Sequence, residues 1–165
     1  MLSTLRAFGE WLATTSLSNT IQNVSWIIPT VQTIHILCVA IVISATFLVD
    51  LRILGMFSRS QPLAALSHRF LTWIWWALIV LLVTGSLLLT GEPGRSITNP
   101  AFFAKMIMLV IVAGLTAVLQ RPLARDAGYW DGDRAVAAKS IAIVSLVLWS
   151  CIVFAGRWIA YVTAL

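Results

Sequence analysis

A chain of 165 residues with 60% hydrophobic and only 10% charged side chains has too little polar surface to wrap a soluble globule of its size. Its formal charge of +5 is scattered singly between apolar runs, without an aromatic-interleaved basic patch, which argues against a nucleic-acid partner and makes the lipid bilayer the expected surroundings. The expected architecture is all-α: an integral membrane four-helix bundle with a short N-terminal interfacial helix, forming one transmembrane domain over residues 1–165.

The surface segment is expected over residues 1–24, where Leu5, Phe8 and Leu12 repeat at helical spacing beside Arg6 and Glu10, the alternative being a frayed tail. Met1 to Asn23 lack the basic start, unbroken apolar core and small-residue cleavage site of a signal peptide, so they are expected to stay in the mature protein. An α-helix needs about 20 mostly apolar residues to cross a bilayer, and four runs meet that length. They are predicted at about 26–49, 70–90, 101–119 and 140–161. Pro29 is tolerated in the opening turn of the first, and Asp50 with Arg52 reads as an anchor at its polar end. The second carries no charge, and Glu92, Pro93 and Gly94 turn the chain after it. Lys105 interrupts the third near its start, while Gln120, Arg121 and Pro122 close it. A polar stretch with Asp126, Asp131, Asp133 and Arg134 leads to the fourth, which holds Arg157 and Trp158 near its far end.

Lys and Arg in short loops are retained on the cytoplasmic side. The connections after the first and third crossings, with their adjoining helix ends, hold Arg52, Arg59, Arg69, Arg121, Arg125, Arg134 and Lys139, against Arg6, Arg95, Lys105 and Arg157 on the other side. Both termini are therefore expected outside. Trp26, Trp158 and Tyr161 then read as an outer aromatic belt and Trp73, Trp75 and Trp76 as inner anchors.

Ionisable side chains are costly in a bilayer, which singles out His35, Lys105 and Arg157. Counting at roughly 1.5 Å per residue, His35 lies about 13 Å below Trp26, Met108 about 12 Å below Pro100 and Lys105 about 7 Å below it, with Arg157 nearer the surface. This is the outline of a heme pocket. Imidazole and thioether are both axial ligands of heme iron, so His35 is the candidate metal ligand and Met108 its candidate partner. Lys105 shares a helix face with Met108, and Lys105 and Arg157 would snorkel to heme propionates. Thr84, Gly85 and Ser86 sit at a similar level, small enough to admit a flat macrocycle. Without a cofactor, His35 would hydrogen-bond a neighbour such as Gln32 or a backbone carbonyl, and the small residues would be a packing face. His68 lies at the opposite end of its bundle and reads as interfacial.

The run from Trp26 through Pro29, Gln32 and His35 to Asp50, Leu51, Arg52, Leu54 and Gly55 resembles the opening of a family of uncharacterised bacterial four-helix membrane proteins. Gly85, Glu92, Pro93, Asn99, Phe102, Lys105 and Met106 resemble its later part, and the likeness covers nearly the whole chain. It implies a multi-pass protein of the bacterial inner (cytoplasmic) membrane. A more distant similarity is to the membrane domain of copper-resistance protein D and to HemJ-type b-heme proteins. It implies that His35 and Lys105 correspond to the first-helix histidine and third-helix lysine of the latter.

The expected function is thus b-heme binding with an electron-transfer or redox role, the partner being a membrane quinone or a redox protein. The runner-up is copper handling, for which His35, Cys38, Met108 and Cys151 offer soft ligands at related depths. A third reading is a scaffold subunit without chemistry. Whether the chain is an enzyme, and its oligomeric state, stay open at this stage.

Overall fold

The computed structural model describes residues 2–57, 63–123, 125, 126, 128–130, 132–159 and 161. Arg59 and Asp131, both placed above in polar connections, lie outside the described residues, as do Met1 and position 160 of the fourth expected crossing. Helices account for the elements in chain order: α1 Leu2–Ala13, α2 Ser16–Asn23, α3 Ile27–Ile53, α4 Leu63–Gly91, α5 Pro93–Ser96, α6 Pro100–Leu123, a single 3₁₀ turn at Gly132–Arg134, and α7 Ala135–Trp158. Four of them, α3, α4, α6 and α7, are long and apolar enough to cross a membrane.

Their ends show why the apolar runs alone misjudge helix length. The first helix of the bundle continues past Asp50 and stops at Gly55, whose φ of 76° turns the chain into the left-handed region. The amides of Gly55 and Met56 then bond back to the carbonyls of Arg52 and Leu51 at 3.0 and 2.9 Å, a glycine-closed C-terminus. Asn99 opens α6: its side-chain oxygen accepts from the Ala101 amide at 2.9 Å, with Pro100 in the first turn, where its missing N–H costs nothing. The helix carries on through Gln120, Arg121 and Pro122, and the Trp130 indole donates to the Leu119 carbonyl at 2.8 Å.

In the bundle α3 packs against α4 and α7, α7 packs against α6, and α6 touches α4 most sparingly. The core is built by all four: Val42 and Ala45, Ile74 and Ala77, Val112, and Trp149 with Ile152. Lipid-length helices expose their apolar sides, and Ile36, Leu82, Val110 and Phe154 do so. Trp73, Trp75 and Trp76 are likewise exposed, as an anchoring role requires, whereas Trp149 is buried.

The N-terminal segment is two helices rather than one, and it docks on the bundle. Thr15 caps α2 by accepting from the Ser18 amide at 3.3 Å. Buried Ser18 donates to the Thr90 carbonyl of α4 at 2.7 Å, and Ile21 lies so close to Gly91 that a Cβ there would come within 2.9 Å of its Cγ2. The first helix rests on α5, with Gly9 beside Ile97. These contacts gather α1, α2 and α5 at the end of the bundle where α3 begins and α7 ends, and there Asn99 also bonds the Ile159 carbonyl at 3.3 Å.

Candidate functional site

His35 projects from α3 in the half of the bundle nearest the termini and is half-buried. Its Nδ1 lies 2.8 Å from the Thr84 hydroxyl of α4. That hydroxyl already donates to the Val80 carbonyl at 2.7 Å, so its one proton is committed and it can only accept from the ring. The geometry therefore selects the tautomer with the proton on Nδ1, which leaves Nε2 with its lone pair and, among the described residues, without a hydrogen-bond partner. A ligating histidine is oriented in the same way, the outer nitrogen held by a second group while the other faces the metal. Gly85 stands beside the ring, and a Cβ there would sit 3.5 Å from Cε1. Ser86 is exposed and bonds its own helix, so it takes no part.

Lys105, on α6 diagonally across the bundle, is half-buried. Its side chain lies over Gly156 of α7, where a Cβ would meet Nζ at 3.6 Å, and among the described residues its ammonium has no hydrogen-bond or ion-pair partner. His35 thus stands against Thr84 and Gly85 of α4, and Lys105 lies against Gly156 of α7.

Other expected members stand elsewhere. Met108 packs, like Cys38, against the edge of the apolar core. Arg157 is exposed and turns to Tyr161, donating to its hydroxyl at 3.1 Å with the guanidinium 5.4 Å from the ring centre. Cys151 is exposed, away from the interior. Among the described residues no three His, Cys, Asp or Glu side chains assemble into a metal-binding group. His68 is exposed on α4, 16 residues from Thr84 and so roughly 24 Å away along the helix.

Asp50 is a correction. It is no surface anchor but 3% exposed, and its carboxyl accepts from the Ser145 hydroxyl of α7. Charge beside the end of an apolar run signals a helix end; only the packing of α7, nearly a hundred residues later, encloses it.

Four helices long and apolar enough to cross a membrane, packed around a shared core, define the class: an all-helical bundle of membrane-spanning length. Within it, the chain belongs to a family of unknown function (DUF6644), whose profile matches residues 8–162. No curated protein and no solved structure matches the chain, so the distant likeness to copper-resistance protein D and HemJ-type proteins gains nothing from these comparisons.

A b-type heme asks this site for an imidazole lone pair and a cation for a propionate. His35 and Lys105 fit that demand, while Arg157, engaged by Tyr161, is not drawn toward it.

Proposed function

We propose that the chain is a b-heme-binding protein of the bacterial inner membrane with an electron-transfer or redox role, both termini facing outward. The observation that carries this reading is the commitment of the Thr84 proton to Val80, which makes His35 a donor at Nδ1 and frees Nε2 for iron. Bound heme would supply one-electron chemistry.

The chain's own residues would hold and orient it. Thr84 sets the ring's tautomer and rotation. Gly85 keeps that ring clear of a side chain on α4, and Lys105 offers an unpaired ammonium to an anionic propionate. Met108, one helical turn inward of Lys105 and packed at the edge of the core, would be the candidate to supply a thioether ligand. The core around Val42, Val112 and Trp149 separates this site from the far end of the bundle, so electrons would exchange at the terminal side or with a quinone in the outer leaflet.

Copper handling stands second, because its soft ligands do not converge: Cys151 faces outward and Cys38 packs on the core. A scaffold role is the third reading. To separate the three, the full chain is purified in detergent from cells supplied with heme and copper, and both are counted per chain. The heme reading expects about one heme per chain, lost in His35→Ala. Stoichiometric copper without heme would transfer the proposal to the second reading, and a colourless, metal-free protein would leave the scaffold.

A further inference from the structure

At the far end of the bundle the same four helices enclose a second polar place, which does not depend on the heme reading. A small cavity with room for one water-sized guest lies between Thr46 and Asp50 of α3, Thr116 and Gln120 of α6, and Ser145 of α7, with Ile74 of α4 as its apolar wall. Asp50, Gln120, Thr46 and Ser145 are all buried. One carboxyl oxygen of Asp50, Oδ2, is sealed from solvent and, among the described residues, has no hydrogen-bond partner.

The hydroxyl protons around the cavity are largely spent. Thr46 donates to the Val42 carbonyl at 2.8 Å and Thr116 to the Val112 carbonyl at 2.8 Å, so each has only lone pairs left to offer. Ser145 gives its proton to Asp50. Among the described residues no Lys or Arg lines the cavity. A carboxyl enclosed in this way must be neutralised, by a proton or by a cation.

The surrounding chemistry selects the charge. Side-chain oxygens and no sulfur or imidazole suit a hard cation. A single carboxylate balances one positive charge, whereas divalent sites draw on several carboxylates or on phosphate. The space admits a single small ion. A proton on Asp50 would also neutralise it, but the gathering of oxygens from Thr46, Thr116, Gln120 and Ser145 around the unpartnered Oδ2 is the ligand set of a bound cation. We propose that Asp50, Ser145, Gln120, Thr46 and Thr116 form an internal site for one sodium ion, which ties α3, α6 and α7 together at the end of the bundle opposite His35.

The test uses the full chain in detergent and radioactive sodium, with choline chloride holding ionic strength constant. Saturable binding near one ion per chain is expected, displaced by unlabelled sodium and not by choline. Asp50→Asn abolishes it, and Ser145→Ala and Gln120→Leu each weaken it by about tenfold, the scale of one lost charge-assisted contact. Wild-type protein without saturable binding through the physiological sodium range overturns the proposal, whatever the variants do. So does binding undiminished in Asp50→Asn or, should that variant not fold, in both Ser145→Ala and Gln120→Leu.

Discussion

The His35–Thr84 pair is the most informative contact in the bundle because a backbone bond decides its polarity. Thr84→Val removes the acceptor while keeping the shape, and is expected to destabilise the protein by about 0.5–2 kcal/mol, the range for interhelical hydrogen bonds in lipid, read by unfolding in a denaturing detergent. Thr84→Ser restores the acceptor and most of the stability. Gly85→Ala places its Cβ in ordinary contact with the ring and is tolerated, whereas Gly85→Leu displaces His35 and lowers heme content. If Met108 serves as a heme ligand, Met108→Leu retains heme and changes its absorption spectrum. An unchanged spectrum removes Met108 from the ligand set. His35 was legible in the sequence as an ionisable group in an apolar run. Its partner was not: Thr84 was visible only as a small residue at the right depth, since pairing across two helices depends on their rotation.

Among the elements, α2 is fastened to the end of α4 by two specific contacts. Gly91 allows Ile21 to sit against α4, and Ser18 fastens the two helices at Thr90. Gly91→Val is expected to release α2, seen as faster amide exchange over Ser16–Asn23, while the exchange of α3 and α7 stays unchanged. Equal exchange in both proteins would show that α2 does not need this approach. The sequence marked an amphipathic segment from Leu5, Phe8 and Leu12, but it carried no sign that Thr15 divides the segment or that α2 would dock. The ends of α3 and α6 went unread for a related reason: apolarity records contact with lipid, while the backbone ladder runs on through Arg52, Gln120 and Arg121 until a cap stops it.

Over the whole molecule, the apolar core divides two polar places, His35 with Lys105 near the termini and Asp50 with Ser145 at the far end. About 22 Å of α3 separates the levels of His35 and Asp50. The four long helices were legible because each is an apolar run of the length a bilayer crossing needs. The second polar place was not, since Thr46, Thr116, Gln120 and Ser145 are ordinary guests of apolar helices until three helices bring them together. Orientation has its own check. The far end holds Arg52, Arg69, Arg121, Arg125, Arg134 and Lys139, so phosphatase fused to the C-terminus is expected to be active outside the cell, and an inactive fusion would reverse the topology. The central claim, that His35 offers a free imidazole nitrogen to heme iron, is tested most directly by the reduced-minus-oxidised absorption spectrum of the purified chain beside His35→Ala. The account expects b-type bands in the wild type and none in the variant; bands that survive the loss of His35, or a wild type without them, would contradict it.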